Sequence, residues 1–245
     1  MATTVDVIIP VYNEEEQLAQ SVTSLRQYLK ENASFKWTIV IADNGSTDTT
    51  LSIAQALSLE YPDVRYIHIP EKGRGRALRQ TIVSSQADVI SYMDVDLSTH
   101  LSAFPALVKA IEDGYDISIG SRLMSGARTK RCFKRQFTSR VYNLMVKAMF
   151  FTPFCDAQCG FKAISHRAAQ DLVPLVRNNM WFFDTELLIL AHRKGYKIKE
   201  IPVTWVEDPG SKVKVFKTAS EDIKGLLRMR FKPLPSIPQK ADSSK

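Results

Sequence analysis

The chain has 245 residues, 44% of them hydrophobic and 24% charged, which fits one α/β domain and is too short for two large ones. Its formal net charge of +7 predicts an anionic partner such as nucleic acid, acidic lipid or a phosphorylated substrate. Three cysteines, an odd number, argue against a disulfide framework and favour a reducing, cytoplasmic location.

Neither an export signal nor a membrane span is predicted. The N-terminus passes directly into a strand pattern, without the charged and apolar regions of a signal peptide. The best apolar candidate, Val141 to Phe154, is shorter than the ~20 residues that a transmembrane helix needs. It is also interrupted by Asn143 and Lys147. We therefore expect any membrane contact to be peripheral, on the cytosolic face.

Short apolar runs alternate with helical patterns in the first half, which indicates βαβ units around a mostly parallel sheet. The predicted strands are Val5–Val11, Trp37–Ala42, Val64–Ile69, Val89–Met93 and Ile117–Gly120. The helices predicted between them are Glu14–Lys30, Thr49–Glu60, Gly75–Ser85 and Ser102–Asp113. Ligands of such sheets bind beyond the carboxyl ends of the strands, so the chemistry is expected there.

The second half is less regular. The basic run from Arg128 to Arg135 is predicted as a loop, and a helix through Phe150 follows it. Further predicted elements are a helix at 184–194, a strand at 198–206 and an amphipathic helix at 216–231, which suits a membrane interface or packing on the domain. We expect one catalytic domain over 1–232 and a flexible tail over 233–245.

The loop after the first predicted strand is acidic. Asn13 fits an N-cap with acids in the first helical turn, and Glu14 remains able to contact a ribose or base. A dinucleotide-binding fold would place glycines at this point, because carboxylates repel a pyrophosphate. The second strand ends at Asp43, before a turn in which Thr47 or Asp48 can cap the next helix. Helix capping does not account for Asp43, which is either a simple turn former or part of a site.

Two carboxylates leave the fourth predicted strand, at Asp94 and Asp96. Strand alternation directs such side chains the same way, so both can face one site and hold Mg²⁺ or Mn²⁺ against a diphosphate. The alternative is a solvated turn. Unpaired acids at a buried strand end are costly without a cation, which favours the metal site.

Three segments, Pro10 to Glu14, Asp43 to Asp48 and Asp94 to Asp96, occur in order at successive strand ends and together resemble glycosyltransferase family 2. Other segments resemble the subgroup that glycosylates polyprenyl phosphates, which contains the dolichyl-phosphate mannose and glucose synthases. They are Gly120 to Arg122, Asp156 to Lys162, Phe183 to Glu186, and Trp205 with Gly210 to Lys212. The resemblance covers the chain to about residue 215.

This resemblance implies a GT-A fold, an inverting reaction and a divalent cation, Mg²⁺ or Mn²⁺. It places the donor base and ribose at Pro10, Tyr12, Glu14 and Asp43. Asp94 and Asp96 would face the sugar and the metal. The mannose synthases carry a glutamine two residues beyond the second aspartate as a further metal ligand, and Ser98 stands here instead.

Basic residues supply candidates for phosphate contacts. Lys72 belongs to a basic run around Gly73 and Gly75 that we expect to approach the donor, whereas Arg76 and Arg79 fit a solvated helix face equally well. The resemblance favours acceptor-phosphate contacts from Arg122, Lys162 and Lys212. Arg131 is a further candidate from the basic run 128–135, which fits an acceptor loop or a solvated face. It also makes Asp184 a candidate catalytic or acceptor-facing residue, with Asp184 or Thr185 as a helix cap being the alternative.

The expected reaction moves glucose or mannose from a UDP- or GDP-sugar to a polyprenyl phosphate, dolichyl or undecaprenyl, at a membrane surface. The catalytic candidates are Asp94, Asp96, Arg122 and Asp184. An anionic acceptor oxygen needs no strong general base, so positioning and charge neutralisation carry the rate. A sugar-phosphate nucleotidyltransferase would have a glycine-rich first loop. A basic RNA-binding protein would have interleaved aromatics, so no nucleic acid partner is expected.

Overall fold

A computed structural model describes residues 2–130, 133–207 and 215–232. Its centre is a seven-stranded sheet in the order β3, β2, β1, β4, β7, β5, β8. The strands are β1 Thr4–Val11, β2 Lys36–Asn44, β3 Val64–Ile69, β4 Val89–Tyr92, β5 Ile117–Ser121, β6 Arg128–Lys130, β7 Lys162–Ser165, β8 Ile198–Pro202 and β9 Thr204–Val206. Strands β6 and β9 pair outside this sheet, in a parallel two-stranded ribbon.

Eight α-helices connect or cover the described strands. They are α1 Leu18–Asn32, α2 Thr50–Glu60, α3 Arg74–Ser84, α4 Phe104–Glu112, α5 Phe133–Phe150, α6 His166–Leu172, α7 Phe183–Arg193 and α8 Val215–Phe231. Strands β1 to β4 run parallel because each is followed by a crossover helix, whereas β7 pairs antiparallel with both β4 and β5. Their shared direction brings the carboxyl ends of β1, β2 and β4 to one edge.

Alternating side chains of the buried strands fill a core on each face of the sheet. Ile8 of β1 lies in the cluster with α3, α5, α6 and α7, whereas Val7 and Ile9 lie in the cluster with α1, α2 and α4. Both faces of the central strands are covered, which explains their continuous apolar runs. Leu18, Val22, Leu25 and Leu29 put one face of α1 into the second cluster.

The five strands predicted in the first half are confirmed. Helix α1, however, begins at Leu18 rather than at Glu14, and its N-cap is Gln17, so the prediction of Asn13 as N-cap is wrong. The physical reason lies across the loop, where Asn13 Oδ1 accepts a hydrogen bond from Thr47 N at 2.8 Å. Asn13 adopts a positive φ of 55°, which asparagine tolerates better than most residues.

The second half departs further from expectation. The basic run predicted as a loop contains β6 and the start of α5, and the strand predicted at 198–206 is two strands separated by Val203. Strand β8 pairs with β5, whereas β9 pairs with β6, so the chain changes sheets at Val203. Strand β7 and helix α6 were not predicted. The expected tail at 233–245 lies outside the described residues, and among the described helices none is long and apolar enough to cross a bilayer.

Candidate active site

The loops after β1 and β2 are bonded to each other at the carboxyl edge. Asn13 N donates to Ser46 Oγ at 3.0 Å, and Glu14 N donates to Thr50 Oγ1 at 2.8 Å. Two neighbouring strand ends therefore form one rigid polar surface. Asn44, which the sequence did not single out, extends it: its side chain donates to Val11 O at 2.6 Å and accepts from Gly73 N at 3.0 Å.

Four of the predicted donor-binding residues lie on or beside this surface. The ammonium of Lys72 stands 3.5 Å from the ring centroid of Tyr12, a cation–π contact that links the first and third loops. Asp43 is fully buried, and its Oδ2 lies 2.7 Å from Nδ1 of His68, whose side chain is 39% exposed. Pro10 is also buried, inside β1, so its contribution is to the floor of the surface.

Arg74, at the start of α3, joins two carboxylates. Its Nη2 donates to Asp94 Oδ1 at 2.7 Å, and its Nη1 donates to Asp184 Oδ2 at 2.7 Å. Burial alone would lower the pKa of Arg74, but the charges of Asp94 and then Asp184 outweigh it and raise the pKa above that of a free guanidinium. Arg74 is therefore a permanent cation that fixes Asp94 in place.

Asp184 lies inside the first turn of α7, whose N-cap is Phe182, so the capping alternatives for Asp184 and Thr185 are wrong. Its Oδ1 accepts from Lys162 Nζ and from the Tyr92 hydroxyl, each at 2.7 Å. Burial would raise the pKa of Asp184, but Lys162 and Arg74 outweigh burial and hold it below the usual range. Asp184 thus holds Arg74, Lys162 and Tyr92 around one buried carboxylate.

Lys162 was expected to contact the acceptor phosphate, and the structure contradicts this. Its side chain is 1% exposed, and its ammonium donates to Asp184 and to the carbonyl oxygens of Ala157 and Cys159. The cation stabilises the buried end of Asp184 and the turn around Cys159. It is the internal counter-charge that a buried carboxylate requires.

Gly160 brings backbone directly against Asp94. A Cβ at position 160 would lie 2.1 Å from Asp94 Oδ2, so only glycine fits. Gly73 and Gly75 meet segment 178–180, where a Cβ at either would strike a carbonyl oxygen. These two glycines pack α3 onto that segment.

Asp96 is more exposed than Asp94. Strand β4 ends at Tyr92, so the predicted strand alternation does not reach the two aspartates, and they take different partners. Asp96 lines a cavity of ≈ 320 Å³ together with Ser98, His100, Gln17, Thr204, Val206 and Glu207. Asp96 Oδ1 accepts from Ser98 N at 2.9 Å, and Ser98 Oγ is buried without a hydrogen-bond partner.

That unsatisfied hydroxyl fits the expected cation site. Oxygen ligands suit Mg²⁺ and Mn²⁺, and Mg²⁺ is commonly held by one or two carboxylates with substrate phosphates completing its shell. The described residues contain no group of three or more His, Cys, Asp or Glu side chains that could hold a metal. Asp96, Ser98 and the second oxygen of Asp94 would therefore hold a cation only together with a bound diphosphate.

Arg122 leaves β5 at the same edge. Its Nε and Nη2 donate to the two oxygens of Asp156 at 2.7 and 2.9 Å, and its Cζ lies 5.7 Å from the ring centroid of Trp205. Asp156 is fully buried, and its charge, together with the hydrogen bond, raises the pKa of Arg122 against the lowering effect of burial. The bidentate pair fixes a cation at the edge of the site.

The remaining basic candidates divide into two groups. Arg76 pairs with Glu71, and Arg79 donates to Val176 O and Asn179 Oδ1, so both of these α3 side chains have structural partners. Arg131 and Lys212 lie outside the described residues. Sequence reasoning missed Asn44 and Asp156 as organisers of the site, although each stands within a segment that it had singled out.

The sequence profile of the family described as "Glycosyl transferase family 2" matches residues 6–173. The chain belongs to glycosyl transferase family 2. This membership makes it a glycosyltransferase and overturns the alternative of a sugar-phosphate nucleotidyltransferase. The matched range contains Asp43, Asp94, Asp96 and Arg122, and it ends before α7.

Relatives within the family include glycosyltransferase AglD of Haloferax volcanii, which is 35% identical over 85% of this chain and 34% of its own length. A dolichyl-phosphate beta-glucosyltransferase of Saccharomyces cerevisiae is 31% identical over 94% of this chain and 75% of its own length. Another from Trichomonas vaginalis, ALG5C, is 29% identical. The chain spans about a third of the length of AglD and 65% of that of ALG5C.

Solved structures of other proteins show the same fold. Glucosyl-3-phosphoglycerate synthase from Mycobacterium tuberculosis in complex with uridine-diphosphate superposes with a TM-score of 0.70 at 20% identity, covering 93% of this chain and 80% of that one. The same enzyme in complex with Mn²⁺, uridine-diphosphate and phosphoglyceric acid gives a TM-score of 0.68 at 19% identity, covering 97% and 80%. The predicted GT-A fold is confirmed.

Proposed function

We propose that this family 2 glycosyltransferase transfers glucose from UDP-glucose to a polyprenyl phosphate of the dolichyl type, with inversion at the anomeric carbon. An oxygen of the lipid phosphate attacks that carbon, the bond to the diphosphate breaks, and UDP leaves. The dolichyl-phosphate beta-glucosyltransferases among its relatives support the sugar and the acceptor. UDP in the related synthase structures favours uridine over guanosine in the donor.

One observation carries the choice of acceptor: the buried carboxylate of the site is already occupied. Asp184 accepts hydrogen bonds from Arg74, Lys162 and Tyr92, and its lowered pKa makes it a poor base. A sugar hydroxyl would need such a base before attack, whereas a phosphate oxygen is already anionic near neutral pH. The arrangement therefore suits a phosphate acceptor.

The donor is assigned to the surface formed by the first three loops. Tyr12 and Lys72 present a ring and a cation there, and the bonded loops after β1 and β2 hold Glu14 at its edge. Pro10 and Asp43 form the buried floor beneath the base, with His68 beside Asp43. These assignments keep all the donor residues expected from the sequence.

A divalent cation, Mg²⁺ or Mn²⁺, is assigned to Asp96 and Ser98, with Asp94 turned toward the sugar and cation. When bound, it supplies positive charge that stabilises the departing diphosphate. The related synthase crystallised with Mn²⁺ and uridine-diphosphate supports its use. The residues themselves orient the donor: Arg74 and Gly160 hold Asp94 in one position, which limits the conformations available to the bound sugar.

Arg122 is assigned to the acceptor phosphate. Asp156 accepts hydrogen bonds from its guanidinium, and the ring of Trp205 makes a cation–π contact with it. The cation is therefore oriented before the lipid binds. Arg131 and Lys212, outside the described residues, remain proposed as further phosphate contacts. Arginine suits this role because its planar group binds phosphate oxygens in pairs.

The lipid acceptor requires a membrane surface, and we assign that contact to α5 and α8, which pack against each other. Exposed apolar side chains recur at helical spacing on each helix: Phe137, Val141, Leu144 and Met145 on α5, and Ile223, Leu227 and Phe231 on α8. We call these residues the apolar stripe. Exposed Lys224 and Arg230 flank its α8 part, as expected for a helix lying on anionic lipid at the cytosolic face.

The test is direct. Purified protein, Mn²⁺ or Mg²⁺ and a polyprenyl phosphate are incubated with UDP-glucose, UDP-galactose or GDP-mannose, and lipid-linked sugar is measured. We expect product from UDP-glucose, abolished by Asp96→Ala and retained by Asp113→Asn, which changes an exposed carboxylate at the end of α4 that pairs with Lys109. Product from GDP-mannose alone, or binding of RNA without product, would overturn the proposal.

A further inference from the structure

Helix α8 docks on the active site through one face. Asp222 Oδ2 accepts a hydrogen bond from Gln158 Nε2 at 2.8 Å, and Arg228 Nη2 donates to Glu186 of α7 at 2.7 Å. Between them Gly225 packs against the ring of Phe182, and a Cβ added at Gly225 would lie 2.4 Å from that ring. The three positions recur every three residues, so they share one side of the helix, away from the apolar stripe.

Gln158 belongs to the segment that organises both halves of the site. Two residues before it, Asp156 holds Arg122, and two residues after it, Gly160 lies against Asp94. The amide of Ala157 is held from α5 by Asn143 Oδ1 at 2.8 Å. The Gln158 side chain bonds this segment to α8. A shift of Gln158 would therefore move Asp156 and Gly160, which contact Arg122 and Asp94.

Asp222 is a poor choice for stability alone. It is 3% exposed, and within the part of the chain that the structure describes its Oδ1 has no hydrogen-bond partner. The described titratable groups around it, Asp184 of α7, Tyr142 of α5 and the adjacent Glu221, are all acids, so none of them offsets its charge. An apolar residue of similar volume would pack at lower cost. What Asp222 does provide is an acceptor for Gln158.

We propose that Asp222 is a positioning residue for the transfer reaction: through Gln158 it fixes the segment 156–160 and makes α8 one wall of the acceptor side of the site. The inference rests on the proposed function. It also links the helix that carries part of the apolar stripe to Arg122, the residue assigned to the lipid phosphate.

The test compares Asp222→Ala, Asp222→Asn and Glu221→Gln in the full chain. Asp222→Ala removes the acceptor, so we expect the KM for polyprenyl phosphate to rise about tenfold, with the KM for UDP-glucose changing little. Asp222→Asn keeps a carbonyl oxygen that can accept from Gln158, so its KM for polyprenyl phosphate should rise by no more than half as much. Glu221→Gln removes a negative charge from the adjacent residue and should behave as wild type.

A double-mutant cycle identifies the partner. Gln158→Ala should match Asp222→Ala, and the double variant should be no worse than either single change. Gly225→Ala places a methyl group against Phe182 and displaces α8. It should therefore also raise the KM for polyprenyl phosphate, with the Asp222 side chain intact. An unchanged acceptor KM in Asp222→Ala, or fully additive effects with Gln158→Ala, would overturn the proposal.

Hydrogen exchange separates this inference from the proposed function. Amides of 157–161 should exchange faster in Asp222→Ala than in wild type, in the absence of any substrate, while those of β1 and β2 stay unchanged. If wild type makes no lipid-linked sugar but the exchange result holds, the reaction is wrong and the positioning role stands. If exchange is unchanged while wild type is active, the positioning role is wrong.

Discussion

Arg74 binds Asp94 and, through the opposite side of its guanidinium, reaches Asp184 on a helix 110 residues later in the chain. The first carboxylate belongs to the acidic turn assigned to sugar and cation, and the second is the buried anchor of α7. A planar group with several donors is needed to span the two. The position of the acidic turn therefore depends on how α3 and α7 pack.

Replacing Arg74 tests this dependence. Arg74→Lys keeps the charge but not the two-sided geometry, so we expect kcat to fall about 10- to 100-fold with the fold retained. Arg74→Gln removes one of three partners of the buried Asp184 and the partner of Asp94, which is 42% exposed, and should cost ~1–3 kcal/mol of unfolding free energy. Rates and thermal melts of both variants are the measurements.

Arg79→Lys is the matched control on the same helix, since Arg79 donates to Val176 O and Asn179 Oδ1. It should leave kcat within about twofold of wild type. A wild-type kcat in Arg74→Lys would show that Asp94 does not depend on Arg74.

The sequence predicts the acidic strand ends well because the physics behind them is local. Apolar runs punctuated by Asp43 or by Asp94 and Asp96 indicate buried parallel strands, and parallel strands must bring their carboxyl ends to one edge. The donor surface, the α/β class and the cation candidates all follow from this rule and from the resemblance to family 2. The first half of the sheet is accordingly predicted almost completely.

What the sequence does not reveal is which charges neutralise each other. Lys162 and Arg122 look alike as basic residues in family-like segments, but one is buried on Asp184 and the other is held at the edge by Asp156. The difference arises from β7, a four-residue strand inserted antiparallel between β4 and β5, which has too few residues to show a period. Its register decides that Lys162 points inward.

Asp222 gives a pH dependence of stability with a definite sign. Burial raises its pKa from 3.8 to about 7, so between these values the folded protein binds a proton that the unfolded chain does not. Its stabilising contribution is complete below about pH 4 and is lost as pH rises to about 7. Asp222→Asn cannot lose this proton.

We therefore expect the melting temperature of Asp222→Asn, relative to wild type, to be similar at pH 4 and to become higher as pH rises to 8. Glu221→Gln should show no such crossover. Asp184 acts in the opposite direction, since its lowered pKa stabilises the fold above its unfolded pKa and that contribution is lost on acidification. A constant difference between Asp222→Asn and wild type from pH 5 to 8 would refute the assignment.

The apolar stripe predicts binding to vesicles. Leu144→Glu with Leu227→Glu removes one leucine from each helix and adds charge, and each buried leucine is worth about 1.5–3 kcal/mol. We expect at least a tenfold loss of co-sedimentation with vesicles of phosphatidylcholine and phosphatidylserine. Leu59→Glu is the control, because Leu59 of α2 is 89% exposed but stands apart from the stripe.

The double variant should retain activity on a short-chain polyprenyl phosphate in detergent, since its active site is untouched. The competing occupant of the stripe is a second copy of the chain. If wild type is a dimer in solution that the double variant converts to a monomer, with vesicle binding absent in both, the assignment to lipid is wrong.

Ser98 provides the sharpest test of the cation site, because its hydroxyl is buried beside Asp96 without a hydrogen-bond partner. If it is a ligand, Ser98→Ala should raise the Mn²⁺ concentration for half-maximal activity about tenfold, and Asp96→Asn should raise it further. Ser98→Gln introduces the residue that the resembled mannose synthases carry at this position, and it should raise the affinity for Mn²⁺.

Calorimetry of Mn²⁺ binding in the presence of UDP tests the same ranking of Mn²⁺ affinities without turnover. Thr99→Ala, one residue on, should change neither quantity. Equal Mn²⁺ affinity in Ser98→Ala and wild type would leave Asp96 to act without Ser98.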